Sequence, residues 1–158
     1  MQKKAWKTYG FWILLSELVG ILAGLLSREG VRIYNETVIK PELAPPAIVF
    51  PIVWAILYAL MGIGVARVAL SGESQNVTRG IRLFVTQLAV NFLWSIIFFN
   101  FQAWGFALFW LLLLWVLVVW MTFTFWETDK LAALLQIPYL LWLTFAGYLN
   151  LMVLLLNR

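Results

Sequence analysis

Residues 103–126 read AWGFALFWLLLLWVLVVWMTFTFW, and this stretch decides the fold. It holds no Asp, Glu, Lys or Arg. As one helix, at about 1.5 Å per residue, it is long enough to cross a hydrocarbon core roughly 30 Å thick. Four more apolar runs of similar length accompany it, at residues 9–26, 46–68, 81–101 and 131–156. The chain is 64% hydrophobic and 11% charged. Water-soluble domains carry about 25% charge, so too few polar groups remain to coat a solvated surface. The expected fold is all-α: one integral membrane domain over 1–158, built as a bundle of five transmembrane helices.

Composition also narrows the chemistry. Cys and His are both absent. Disulfides, thiolate nucleophiles, imidazole bases and the commonest metal and haem ligands are therefore excluded. No paired carboxylates lie within the apolar runs, and no Gly-rich phosphate loop or nucleophile with a base is present, so no catalytic residue is assigned. The net charge of +4 comes largely from Lys3, Lys4 and Lys7 ahead of the first run. Basic flanks of this kind act as topology signals, and no solvated basic face is left for nucleic acid. With the N-terminus inside, the inner side carries Lys3, Lys4, Lys7, Arg67, Arg79, Arg82 and Lys130. The outer side carries Arg28, Arg32, Lys40 and Arg158. The excess predicts an N-inside protein. With no evident targeting segment, a bacterial plasma membrane is the expected location. The first run is read as a retained helix, because Glu17 interrupts it and it is long for a signal peptide.

The connections are short except for 28–44. There Val31, Tyr34 and Val38 fall at helical spacing, predicting a short amphipathic segment that is either a lid or a surface linker. Gln102 marks a tight hairpin between the third and fourth helices. Thr128 or Asp129 is the expected N-cap of the fifth. Pro51 and Pro138 are expected to bend the second and fifth helices, freeing the carbonyls of Ala47 and Leu134. Arg67 is expected to snorkel, and the fourth helix, with Trp110, Trp115 and Trp120, to be a peripheral lipid-facing wall. Ser16, Gly20 and Gly24 permit a close helix contact, within the chain or in a homodimer. Glu17 should face protein or water, since a mid-span acid costs about 2.5–3.5 kcal/mol. A protonated, hydrogen-bonded carboxyl is its simplest state.

Three faces carry polar or aromatic residues at four-residue spacing. One holds Gln87, Asn91 and Ser95, with Trp94 beside them; it is either interhelical glue or ligand-facing. Another holds Phe50, Trp54 and Tyr58, and a third Pro138, Trp142, Ala146 and Leu149 or Asn150. Packing indole on indole gains little over packing it on lipid. Converging aromatics with a few amides therefore describe a pocket for a flat apolar ligand.

These residues resemble the translocator protein family, also called tryptophan-rich sensory proteins or peripheral-type benzodiazepine receptors. The resemblance runs through Lys40-Pro41, Pro45-Pro46, Val49-Phe50-Pro51, Trp54, Leu57-Tyr58 and Met61-Gly62. It continues in Gln87, Asn91-Phe92, Trp94-Ser95 and Phe98-Phe99, then in Pro138-Tyr139-Leu140, Trp142, Phe145-Ala146 and Leu149-Asn150. It implies a membrane receptor or sensor that binds porphyrin-type tetrapyrroles and similar flat apolar molecules beneath the first long loop, with no required cofactor. The implied ligand contacts are Tyr34, Pro45, Phe50, Trp54, Tyr58, Asn91, Trp94, Ser95, Trp142, Ala146 and Leu149. Without His or Cys, a metal-free porphyrin fits better than a ligated haem. Two other readings are light-dependent porphyrin degradation and transport of tetrapyrroles or small apolar molecules. The family's loop Trp-Tyr pair aligns with Tyr34-Asn35, which disfavours the degradation reading. Leu151 and Leu155 stand where a sterol-recognition pattern needs Tyr and a basic residue, so sterol binding through that motif is not expected.

Overall fold

The computed structural model describes residues 2–158, with side chains from residue 5 onward. Lys3 and Lys4, counted in the charge balance, lie outside the described side chains. Five stretches are long and apolar enough to span a membrane: Ala5–Leu26, Val49–Leu70, Gln75–Asn100, Trp104–Trp126 and Lys130–Leu156. Among the described residues there is no strand. The chain is an all-α integral membrane bundle.

Helix α1 (Gln2–Leu26) starts earlier than its apolar run, and α4 (Gln75–Ser95) earlier than residue 81. Hydropathy marks where lipid begins, whereas backbone hydrogen bonding carries a helix on into its polar flank. At α4 the start is set by Ser74, whose hydroxyl accepts from the Val77 amide at 3.2 Å. Conversely, α3 (Val49–Leu70) starts later than residue 46. A residue before proline is pushed out of the helical region, so Pro45 and Pro46 hold the chain extended.

The two proline expectations fare differently: the fifth helix is distorted at Pro138 as expected, and the second is not distorted at Pro51. Pro51 is the third residue of α3, in the turn whose N–H groups lack intrahelical partners in any case. It bends nothing, and Ala47 precedes the helix. The fifth span is divided outright at Leu135–Gln136 into α6 (Lys130–Leu134) and α7 (Ile137–Leu156), with Pro138 in the first turn of α7. The buried Gln136 side chain donates to the Ala132 carbonyl at 3.1 Å across this break. Gly64 leaves the space that its amide occupies.

The expected lid is a helix, α2 (Arg28–Thr37), following α1 after the single residue Ser27. Val31, Tyr34 and Val38 turn inward, half-buried. On the outer face Arg32 pairs with Glu29 and, at 2.9 Å, with Glu36. The hydrogen bond from Arg32 holds the Glu29 carboxyl below its ordinary range. Gly30 docks α2: a Cβ there would stand 2.6 Å from the Phe99 carbonyl. The Asn100 amide donates to the Leu26 carbonyl at 2.9 Å. Further along, the Ile39 N–H donates to Asn157 Oδ1, and Asn157 Nδ2 donates to the Ile39 carbonyl, each at 2.9 Å. The segment is thus tied to the bundle at both ends.

Helix α5 (Trp104–Trp126) is lipid-facing on one side, as its composition predicts, and closely packed along the other. Ala107, Leu111, Leu114, Val118, Met121 and Phe125 form a fully buried stripe against α4, α6 and α7. Its other face is lipid-side, with Phe109, Val116 and Phe123 exposed. Two of its indoles also bond inward, Trp110 to the Val90 carbonyl (2.9 Å) and Trp115 to Thr144 (3.1 Å). A helix apolar all round shows no amphipathic signal, so periodicity could not single out its buried side.

The most extensive helix pair is α1 with α3. It closes at Gly62, where a Cβ would stand 2.6 Å from Ile13 Cα and 2.9 Å from the Trp12 carbonyl. Small residues let membrane helices approach and gain dispersion contacts that lipid cannot match. At the bundle end opposite α2, Arg67 donates to Asp129 at 2.8 and 3.1 Å instead of snorkelling. Asp129 also caps α6, accepting from the Ala132 N–H at 2.8 Å. Burial pushes its carboxyl upward, but the hydrogen bonds from Arg67 and Ala132 outweigh this and hold it below the ordinary value.

Candidate ligand site

A cavity of about 520 Å³ lies between α1, α3, α4 and α7, directly under α2. Each wall has a different character. Helix α1 brings Glu17, Gly20, Ile21, Ala23 and Gly24, so this side is smooth apart from one acid. Helix α2 and the residue before it bring Ser27, Arg28, Val31, Tyr34 and Asn35. From the α3 side come Ala47, Phe50, Pro51, Trp54, Ala55 and Tyr58. Helix α4 and its continuation bring Trp94, Ser95, Phe98 and Phe99, and α7 brings Trp142, Ala146, Leu149 and Asn150. Helix α5 contributes none of the lining.

The rings lock one another in place. Phe50 meets Trp142 edge-on at 5.8 Å, and Trp54 lies 5.5 Å from Tyr58. Trp94 stacks on Phe98 at 5.1 Å. Tyr34 packs edge-on against Phe99 at 5.4 Å, and the Lys40 ammonium lies over the Tyr34 ring, 5.3 Å from its centroid. Burial raises the Tyr34 phenol above its ordinary range, so it stays protonated at neutral pH. Such interlocked pairs leave few rotamers and present fixed ring surfaces to the cavity.

Phe98 and Phe99 fall in a π-helical turn, Ile96–Asn100, that ends α4. Its wider winding is marked by the Phe101 N–H donating to the Ile96 carbonyl at 3.2 Å. Gln102, at φ +50, then reverses the chain into α5. This is the hairpin expected at Gln102, but the π-turn has no signal in residue spacing. Turns of this kind recur at functional sites because they re-aim side chains.

Nine of the eleven predicted contacts line this cavity: Tyr34, Phe50, Trp54, Tyr58, Trp94, Ser95, Trp142, Ala146 and Leu149. Pro45 does not; it sits in the extended link ahead of α3. Asn91 does not either. It is 1% exposed and committed to protein partners. Tyr58 donates to Asn91 Oδ1 at 2.9 Å, Asn91 Nδ2 donates to the Tyr139 hydroxyl at 2.6 Å, and Tyr139 donates to Gln87 Oε1 at 2.9 Å. Gln87 Nε2 reaches Met61 Sδ at 3.6 Å. The stripe Gln87–Asn91–Ser95 is therefore split. Its lower residues join α3, α4 and α7, and only Ser95 reaches the cavity. Asn150 works similarly at the upper end, donating to the Trp104 carbonyl at 2.8 Å while accepting from the Trp94 indole at 3.4 Å.

Residue spacing missed the α1 wall. Of the expected helix-contact motif, Gly20 makes a close contact within the chain, accommodating the Tyr58 ring of α3, whereas Gly24 has no atom within 4 Å of a Cβ position. The glycines make room beside the cavity. Glu17 lies on this wall as well, and its polar type inside an apolar run is the signal for it.

Fold and cavity together define a class: a five-helix membrane protein with an aromatic intramembrane chamber closed by a helical lid. Residues 12–156 match the TspO/MBR family. The chain is 38% identical over 151 residues to the tryptophan-rich protein TspO of Chlorobaculum tepidum, covering 95% of this chain and 96% of that one. It is 36% identical over 140 residues to the translocator protein of Bos taurus (87% and 82%). It is 37% identical over 119 residues to the tryptophan-rich sensory protein of Cereibacter sphaeroides (75% and 73%). The chain belongs to the TspO/MBR family.

Proposed function

We propose that this chain is a membrane receptor for porphyrin-type tetrapyrroles, holding one flat macrocycle in the cavity under α2. One observation carries the reading: a chamber of about 520 Å³ walled by Phe50, Trp54, Trp94 and Trp142 and covered by a docked helix. That volume lies within the roughly 300–1,000 Å³ range of small-molecule sites. The lining is mostly aromatic, with polar groups confined to a few positions, which suits a large planar ring with a polar edge. Trp54 and Trp142 offer ring faces, Tyr34 and Val31 cover the top, and Ala146 keeps the α7 wall low enough to admit the ring. The family resemblance points to the same ligand class.

The test is a titration of protoporphyrin against intrinsic Trp fluorescence in detergent or nanodiscs. Saturable quenching is expected, with affinity reduced about five- to 150-fold in Trp142→Ala, as for loss of one stacking surface worth about 1–3 kcal/mol. Quenching that does not saturate, or equal affinity in the variant, sinks the proposal. The basic-residue count further supports an N-inside topology. Because the chain has no Cys, a single cysteine at Ser71 should react only from the inner side of intact cells; labelling by an impermeant outer reagent would reverse the topology.

A further inference from the structure

The chamber carries one acid on its walls, and the packing of the bundle makes no use of it. Glu17 lines the cavity from within an apolar span, where a carboxyl carries a substantial insertion cost. On α1 the lining residues Glu17, Gly20, Ile21 and Gly24 form one helical stripe, and Glu17 is the lowest of them. Below it α1 and α3 close at Gly62 against the Ile13 backbone, so the carboxyl stands at the cavity floor. Among the described residues no hydrogen bond or ion pair reaches it. Two rings stand beside it. One turn above Glu17, on the same face, Gly20 lies so close to the Tyr58 ring that a Cβ there would overlap it. Trp54, 5.5 Å from Tyr58, continues the wall. The Tyr58 hydroxyl is committed to Asn91 at 2.9 Å, so Tyr58 offers the floor its ring and not a donor. The other charged lining residue, Arg28, begins α2 at the opposite end of the chamber. Glu17 lies nine residues before the end of α1, about 13 Å along its axis.

We propose that the floor of this chamber is a binding site for the protonated amine of an aromatic amine, with the ammonium paired to Glu17 and the ligand's ring lying among Trp54 and Trp142. Carboxylate and aromatic faces together are the groups that recognise an ammonium. The cation neutralises the acid, its N–H groups fill the open acceptor positions of the carboxylate, and the electron-rich ring faces attract it. A neutral ligand leaves the acid unpaired, and an anionic group at the floor opposes it. The pair is formed where water is largely displaced, so it discriminates by charge more sharply than an exposed pair would. This site goes beyond the tetrapyrrole reading and does not rest on it: it selects a second ligand class by a group that the stacking surfaces do not supply.

The experiment compares pyrenylmethylamine with pyrenylmethanol, which share one flat ring and differ in charge. Binding is read at neutral pH as energy transfer from Trp to pyrene in phosphatidylcholine nanodiscs, corrected for partition of each probe into empty nanodiscs. The wild-type chain should bind the amine about tenfold or more tightly than the alcohol, as expected for a charge-assisted hydrogen bond. Glu17→Leu, which suits a lipid span, should bring that ratio within about twofold. Glu17→Gln, which keeps the shape and removes the charge, should bring it within about threefold. Thermal melting verifies that each variant is folded. Equal wild-type affinity for the two probes overturns the inference without recourse to a variant, as does the absence of saturable amine binding. A preference that persists in both Glu17 variants also overturns it, because the ammonium would then be held elsewhere. Protoporphyrin binding is a separate titration: saturation there with no amine preference leaves the tetrapyrrole reading standing and removes this one.

Discussion

Changing Tyr139 to Phe separates what holds the bundle together from what touches the ligand. The hydroxyl accepts from Asn91 at 2.6 Å and donates to Gln87 at 2.9 Å, in a core where Tyr139 is 1% exposed. Phe keeps the ring and opens no cavity, and the edge contact with Trp54 at 6.2 Å survives. Interhelical hydrogen bonds in membranes are worth about 0.6 kcal/mol on average and up to about 1.7. Two are lost together, giving about 1–3 kcal/mol. The upper part of that range is expected, because no water reaches the orphaned amides. Stability would be read as the folded fraction against dodecyl sulfate in mixed micelles, and ligand affinity by porphyrin titration. Tyr139 is not in the cavity lining, so affinity should change by less than about twofold. Gln87→Leu should cost less in the Tyr139→Phe background than alone, because the partner is already missing. Wild-type stability would refute the network, and a tenfold affinity loss at unchanged stability would refute its separation from the cavity.

Gly62→Ala should destabilise by about 1–3 kcal/mol by forcing α3 off the α1 backbone, whereas Gly24→Ala, with open space at its Cβ position, should melt like wild type; equal melting temperatures for both would contradict the packing. Asn157→Ala removes both hydrogen bonds to Ile39, so amide exchange at residues 38–40 should accelerate about thirtyfold at about 1 kcal/mol per bond, while exchange in α5 stays unchanged; unaltered protection would show that the clasp does not hold the segment. The Arg67–Asp129 pair should make stability fall at low pH. A carboxyl held below its ordinary value contributes fully above the unfolded-state value of 3.8 and loses that contribution as pH falls through its folded-state value. Asp129→Asn should flatten this part of the stability–pH curve, and an unchanged acid limb in the variant would remove the pair from the account.

Much of the bundle was legible because lipid imposes one requirement on every span: about twenty apolar residues with internal hydrogen bonding. Helix ends were less legible, since Ser74 capping and Pro45-Pro46 act on the backbone and not on hydropathy. The cavity walls on α3, α4 and α7 could be read from four-residue spacing: of aromatics on α3, of polar residues beside Trp94 on α4, and of Trp142 and Ala146 on α7. Helix α1 could not, because a wall made of Gly20, Ala23 and Gly24 is defined by missing side chains, and spacing registers only those present. Asn91 lies outside the cavity lining for a related reason. An amide on an inward face can satisfy a neighbouring helix or a ligand, and only the positions of Tyr58 and Tyr139 decide between them. The π-turn carrying Phe98 and Phe99 lies between the tight reversal at Gln102 and the docked α2, and residue spacing carries no signal of it.

The central claim is that one tetrapyrrole occupies the chamber beneath α2. Native mass spectrometry of the chain with protoporphyrin, beside Ala146→Phe, tests it most directly. Ala146 lines the cavity, so a phenyl ring there takes up ligand space. The account predicts one porphyrin per wild-type chain and none on the folded variant; equal occupancy of both would place the porphyrin elsewhere on the protein and contradict it.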